Sequence, residues 1–335
     1  MKTAGADRKL PLNLYVETTS RCNLRCKGCI QHRGIWEPQR DLSLKELIMI
    51  CDQLPELGRV ALHGIGEPLL NEALPDMIRY LKGRNAYVFF NSNGILLDAH
   101  RQDQLIDAGL DELRISLDAA SQAGYEAMRG SDQFSRIVGN VQAFAERIRS
   151  LHTSSPRLSL WCLGTRENIY ELPGLVRLAA SLGVKEVYLQ RLVYFQNHEG
   201  YGLAKPEKTL MDSDPAVTEL IDESCRIARD AGVQFNASGL SNPRASVESS
   251  AGSPMPWQRC YRPSTLMYIT ASGNVLPCCI APFAVPDYDS IVLGNAFESS
   301  LAEIWRGTKY KRFREKHQTQ EPAKCCQGCG ILWSL

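Results

Sequence analysis

The sequence predicts an α/β protein with a parallel sheet, followed by a smaller C-terminal unit of different pattern. Short β-branched or aromatic runs alternate with amphipathic stretches over residues 13–190, at the spacing of βαβ units. Beyond residue 257 that alternation gives way to a hairpin pattern and two short helical stretches. Strands are expected at 13–18, 59–63, 86–91, 112–116, 157–163 and 184–190. Helices are expected at 44–53, 74–82, 101–108, 134–149 and 170–182, several closed by a glycine (Gly83, Gly109, Gly183) in the C-cap position. A seventh unit follows, with a helix at 214–231 and a strand at 233–236.

Residues 238–256 are rich in Ser, Pro, Gly and Asn and lack periodicity, which marks a linker or lid. The expected division is therefore 1–237, a linker at 238–256, and 257–335. In the last part, 266–270 and 274–277 flank Ala271-Ser272-Gly273 as a hairpin, and 299–306 and 309–316 are helical.

With 335 residues, 44% of them hydrophobic, the chain can bury a large core, which excludes disorder as its main state. Lys+Arg 38 against Asp+Glu 37 leaves a net charge of +1. That balance offers no electrostatic footprint for nucleic acid or an anionic membrane, so neither partner is expected. The N-terminal ten residues have no apolar core of a signal peptide, and no stretch approaches the roughly 18 apolar residues that span a bilayer. A cytoplasmic protein is expected, and there thiols stay reduced. Twelve cysteines in such a chain read as metal ligands or reactive thiols before they read as disulfides.

Cys22, Cys26 and Cys29 form a C-x3-C-x2-C directly after the first strand. A structural zinc site wants four closed ligands. Three thiolates on one tight loop suit a cubane cluster whose fourth iron stays open to a small molecule; zinc and chance clustering are the alternatives.

Cys22-x3-Cys26-x2-Cys29 after a first strand resembles the signature of the radical S-adenosylmethionine (SAM) enzymes. His63-Gly64-Ile65-Gly66-Glu67-Pro68, Asn91-Ser92-Asn93-Gly94 and Ser116-Leu117-Asp118 resemble that family's further SAM-contacting segments, each after a successive strand. The resemblance implies a partial (β/α)6 TIM-type barrel with the site at the carboxyl ends of its strands. It further implies a SAM-binding 4Fe-4S cluster on the three cysteines. The SAM contacts it implies are Gly64, Gly66, Glu67, Ser92, Asn93, Ser116, Asp118 and Gln190. Gly64 and Gly66 suit close backbone approach to a ligand, and Glu67 is expected to balance the methionine ammonium. Gly28 stands where the family often has a bulky residue against adenine, so that packing is expected near Gln190.

The second set, Cys260-x12-Gly273-x4-Cys278 and Cys325-Cys326-x2-Cys329, resembles the auxiliary-cluster domain called SPASM, or its shorter Twitch version. Ser300-Leu301-Ala302-Glu303-Ile304-Trp305 resembles that domain's helix. With only 330–335 after Cys329, Twitch is favoured: a second 4Fe-4S cluster on Cys260, Cys278, Cys326 and Cys329, closed and acting as an electron carrier, with Cys325 able to replace Cys326.

Cys51 and Cys225 read as buried apolar residues. Cys279 and Cys162 are candidate hydrogen-atom donors. His63 is expected to face the site or pack, His32 to be solvated, and Arg191, Tyr194 and His198 to bind a polar substrate or form a surface lid.

The function expected is cleavage of SAM to a 5′-deoxyadenosyl radical that takes hydrogen from a small polar metabolite such as a sugar or aminocyclitol. Dehydrogenation or epimerisation at a hydroxyl-bearing carbon would follow, making the enzyme an oxidoreductase or epimerase with the auxiliary cluster as electron acceptor and flavodoxin or ferredoxin as donor. Radical-mediated decarboxylation or elimination is an alternative outcome. A peptide-modifying maturase is another reading. It meets the objection that the first strand begins near Asn13, leaving no room for an N-terminal recognition domain unless a separate partner supplies one. A non-enzymatic zinc scaffold explains the cysteines but not the motifs in register.

Overall fold

A computed structural model describes residues 9–27, 29–32, 37–192, 206–210, 215–237, 243–244, 256–283 and 287–327. The expected linker, apart from residues 243, 244 and 256, lies outside them, as do Gly28, Tyr194, His198 and Cys329.

The strands are β1 (Asn13–Val16), β2 (Arg59–Ala61), β3 (Tyr87–Ser92), β4 (Glu112–Ser116), β5 (Arg157–Gly164), β6 (Glu186–Arg191), β7 (Gln234–Ala237), β8 (Leu266–Ile269), β9 (Asn274–Leu276) and β10 (Gly294–Asn295). The helices are α1 (Leu44–Cys51), α2 (Leu74–Gly83), α3 (Ala99–Asp107), α4 (Gln122–Arg129), α5 (Phe134–Ser150), α6 (Leu172–Leu182), α7 (Pro215–Ala231), α8 (Arg262–Thr265), α9 (Leu301–Arg306) and α10 (Thr308–His317). Strands β1 to β7 pair in sequence order, all parallel. The six expected strands and the seventh unit are all present.

Strand alternation divides the sheet into two faces. Leu14, Val60, Val88, Phe90, Leu113, Ile115, Leu160, Val187 and Leu189 join the buried core with helix residues such as Leu47, Ile78, Val141 and Val176. Each such aliphatic side chain contributes about 1.5–3 kcal/mol on burial. The alternate set, Tyr15, Arg114, Trp161 and Tyr188, lines an internal cavity instead.

Local chemistry explains the element ends. Ser43 and Glu46 close a reciprocal capping box on α1, and Ser300 with Glu303 does the same on α9. Gly183 caps α6 at φ +75°. The expected cap at Gly83 is corrected: it ends α2 in helical conformation, and Asn85 takes the positive φ, 59°. Helix α4 was not foreseen. Its eight residues are capped by Ser121, whose side chain accepts from the Gly124 N–H, and by left-handed Gly130.

The C-terminal hairpin forms as expected, but within the barrel sheet. β8 lies parallel to β1, with Leu14 opposite Met267, and β9 and β10 add antiparallel strands outside it. The order β10-β9-β8-β1-β2-β3-β4-β5-β6-β7 is linear, so among the described residues the barrel is open between β7 and β10. No helix among them is long and apolar enough to cross a membrane.

Candidate functional site

One cavity of about 480 Å³ opens at the carboxyl ends of β1 to β6 and reaches β8. Cys22, Cys26 and Cys29 line it, as do Gly64, Gly66, Glu67, Ser92, Asn93, Ser116, Asp118 and Gln190. Residues from five separate segments thus meet in one place, because parallel strands bring all their carboxyl ends to one side.

The β1–α1 loop presents its three thiols half-buried and free of disulfides. Burial pushes the Cys22 thiol up to about 11, and burial also raises Cys29. A metal would draw off those protons. A donor set of sulfur alone facing one cavity fits an iron–sulfur cluster.

Glu67 is 3% exposed, and its carboxylate accepts from the Ser92 hydroxyl at 2.8 Å, the Asn93 N–H at 2.7 Å and the Leu69 N–H at 3.1 Å. Burial raises its pKa against those bonds. Its first task is therefore to staple the β2–α2 loop to the end of β3. Asn93 Nδ2 donates in turn to Asn23 Oδ1 at 2.8 Å, reaching the cysteine loop.

The two glycines are required by the chain's own packing. A Cβ on Gly66 would stand 2.1 Å from the Thr19 carbonyl oxygen. One on Gly64 would meet Glu17 Oε1 at 2.5 Å and the Tyr268 hydroxyl at 2.6 Å. Glu17, buried at the end of β1, accepts from the Ile65 N–H at 2.6 Å and the Ala271 N–H at 3.3 Å. It ties the β2–α2 loop to the β8–β9 hairpin, and burial pushes it up to about 7.

Asp118 accepts from the Leu163 N–H at 2.8 Å and pairs with Arg129 Nε at 2.6 Å. Arg129 Nη1 also reaches Cys26 Sγ at 3.7 Å. Burial alone would lower the guanidinium pKa, but Asp118 and Cys26 raise it overall. Sequence reasoning missed this cation with α4; the Ser121 cap and Gly130 were the signals available.

Below these groups runs an aromatic wall. Trp161 and Tyr188 stack with centroids 4.0 Å apart, and Arg114 lies 4.1 Å from the Phe89 centroid and 4.3 Å from that of Trp161. Glu112 neutralises Arg114 through two hydrogen bonds. His63 lines the cavity against Tyr15 and Phe89, and burial lowers its pKa to about 3, which keeps it neutral. Arg191 is buried on the same cavity.

The far end of the cavity carries Tyr268, Arg262 and Cys279. Cys278 and Cys260 are partly buried near Cys279 and Cys325, and burial, with these neighbouring thiols, raises both. Cys325 is 5% exposed. Cys325 stands with the group, and its neighbour Cys326 is partly buried on the same short 3-10 turn. A sulfur-only set beside a buried cation fits a second iron–sulfur cluster. The two donor candidates part company: Cys279 lines the cavity, but Cys162 is 2% exposed, with its sulfur 3.9 Å from the Asp118 carbonyl and 3.8 Å from Asn168 Nδ2. Cys51 is fully buried and Cys225 partly so.

Comparison with known proteins agrees with this geometry. Residues 16–172 match the radical SAM superfamily model, and 260–330 match the SPASM model, an iron–sulfur cluster-binding domain. The chain is 27% identical over 322 residues to a PqqA peptide cyclase of Gluconobacter oxydans, covering 95% of this chain and 83% of that one. It is 25% identical over 315 residues to the tungsten-containing aldehyde ferredoxin oxidoreductase cofactor-modifying protein of Pyrococcus furiosus, covering 90% and 82%. Among solved structures, Streptococcus suis SuiB bound to S-adenosylmethionine has the same fold at a TM-score of 0.69 and 18% identity, over 97% of this chain and 72% of that one. The first domain implies a 4Fe-4S cluster with SAM, and the second implies auxiliary iron–sulfur chemistry. Three thiols at one end of the cavity, a second sulfur group at the other and both family matches have one common meaning: this chain is a radical SAM enzyme and belongs to the SPASM subgroup of that superfamily.

Proposed function

We propose that this enzyme modifies a peptide, closing a ring or cross-link between two of its residues. The reading replaces the expected small polar metabolite, sugar or aminocyclitol-like. The finding that overturns that expectation is the relatives: several over 90% or more of this chain are PqqA peptide cyclases. That observation carries the reading. It also moves the reaction class from oxidation or epimerisation of an alcohol carbon to bond formation within a peptide.

When bound, SAM and its cluster supply a carbon-centred radical that removes a hydrogen atom from the substrate. Cys22, Cys26 and Cys29 would hold that cluster. Glu67, Ser92 and Asn93 fix the loops around SAM, while Ser116, Asp118 and Gln190 offer it polar edges. Cys260 and Cys278, with Cys325 or Cys326 and with Cys329, would hold the auxiliary cluster. His63, Trp161 and Tyr188 supply a neutral, flat-walled space for the reacting side chains, which excludes water from a radical. Closing the ring takes two hydrogens from the peptide: one would go to the radical as an atom, and the other would leave as a proton and an electron that the auxiliary cluster would accept. No hydrogen-atom donor is therefore needed, and Cys279 keeps only its place on the cavity wall. A low-potential donor of the flavodoxin or ferredoxin type and a reducing, cytoplasmic setting suit thiols that are free of disulfides.

The test is anaerobic incubation of reconstituted enzyme, SAM and reductant with short peptides encoded beside its gene. We expect 5′-deoxyadenosine together with a peptide lighter by two hydrogen atoms in mass spectra. Steady 5′-deoxyadenosine formation with every such peptide left unmodified would count against the reading.

A further inference from the structure

Arg262 stands between the cavity and the second sulfur group. Its main-chain N–H donates to Cys260 Sγ, and its Nη1 donates to Cys279 Sγ at 3.6 Å. The Arg262 side chain is partly buried, lies near Tyr15, Cys278 and Cys260 as well as Cys279, and lines the cavity. Of the other cavity arginines, Arg114 and Arg129 each have a carboxylate partner. Arg262 has none among the described residues.

A desolvated cation without a counter-charge costs several kcal/mol. The groups to which Arg262 donates, Cys260 Sγ and Cys279 Sγ, are the nearest that can supply the compensating charge. A thiolate-bound iron–sulfur cluster is net negative and becomes more so on reduction, and hydrogen bonds to its sulfurs and nearby charge set its potential.

We propose that Arg262 is a positioning residue for the auxiliary cluster: it donates to the sulfur layer on the cavity side and makes that cluster easier to reduce by one electron. The inference rests on the auxiliary cluster of the SPASM domain and is independent of what the substrate is. In the step it concerns, an external reductant gives one electron to the oxidised cluster; no bond forms or breaks and Arg262 keeps its proton.

The experiment is a dithionite redox titration of the reconstituted full-length enzyme, followed by electron paramagnetic resonance, without any peptide. Wild type is compared with Arg262→Met and Arg262→Lys. In R262M the reduction equilibrium of the auxiliary cluster should fall at least tenfold, which is 59 mV for one electron. R262K should stay within threefold of wild type, and the SAM-binding cluster should not move in either variant. An unchanged auxiliary potential in R262M, equal shifts in both clusters, or equal shifts in both variants would overturn the proposal. Should R262M bind too little iron to titrate, iron content decides. Loss of only the auxiliary half, restored in R262K, supports the role, and loss in both variants or at both sites removes it. Because no substrate is present, failure of the peptide reading leaves these outcomes untouched.

Discussion

The Ser92 hydroxyl donates to the buried Glu67 carboxylate at 2.8 Å and accepts in turn from the Gly94 N–H at 3.0 Å. One small side chain thus joins the β2–α2 loop to the turn after β3, and it can do so only because parallel pairing places those two strand ends side by side.

Ser92→Ala should leave both groups short of a partner inside the protein. A buried group stripped of its hydrogen bond costs about 1–3 kcal/mol. We expect a lower Tm and weaker SAM binding, measured by thermal melts with and without SAM, while Ser121→Ala at the α4 cap should lower Tm without a specific loss at SAM.

Gly66→Ala forces a carbon to within 2.1 Å of the Thr19 carbonyl oxygen. The backbone on both sides would have to separate, at a cost at or above the roughly 1–3 kcal/mol of ordinary overpacking. Gly83→Ala, whose Cβ would meet nothing within 4 Å, should be neutral to slightly stabilising. Denaturant unfolding of the two variants checks the contrast.

Arg129→Met removes the partner of Asp118 and leaves a carboxylate 4% exposed without its cation. Breaking one side of a buried pair costs about 3–5 kcal/mol. The double variant with Asp118→Asn should recover part of that loss in a thermal melt.

Glu17 has a pKa raised from 4.5 to about 7, chiefly by burial. The folded state therefore holds this proton more tightly than the unfolded chain does. That contribution is fully present below pH 4.5 and is lost as pH rises through 7. From pH 6 to 8 about one unit of it is lost, about 1.4 kcal/mol. Stability of the wild type should fall relative to Glu17→Gln over pH 6 to 8, and parallel curves would refute the assignment.

Iron content separates the two sulfur groups. The triple variant of Cys22, Cys26 and Cys29 to Ala should keep about half the iron and lose all SAM cleavage, whereas Cys260→Ala with Cys278→Ala should lose the other half. Iron assay alongside 5′-deoxyadenosine quantification distinguishes these outcomes.

Much of the fold was legible because its signals are local. Period-two strands separated by amphipathic helices announce βαβ units, and Gly183 or the Ser300–Glu303 box marks an end wherever it stands. The C-x3-C-x2-C loop and the three later segments could be read for the same reason, each following its own strand. Helix α4 escaped notice because its eight residues give barely two turns of periodicity and include Gly124, and with it went Arg129. The aromatic wall escaped because Tyr15, Phe89, Arg114, Trp161 and Tyr188 sit one per strand position, in no motif. The substrate was misjudged for a different reason: spacing of cofactor ligands describes the radical's source and says nothing of the molecule it attacks.

The sequence by itself determined the barrel architecture, the two cysteine sets and the cofactor class, since each depends on residue types at short, fixed separations. Only the tertiary structure decided that β8 joins the barrel beside β1, that Cys279 faces the cavity while Cys162 does not, and that Arg262 lies among the cysteines with no carboxylate partner among the described residues. Those relations join residues up to two hundred and fifty or so positions apart, as Glu17 and Ala271 do. Strand pairing and burial create them, and no local pattern encodes which distant charge or thiol will be enclosed with which.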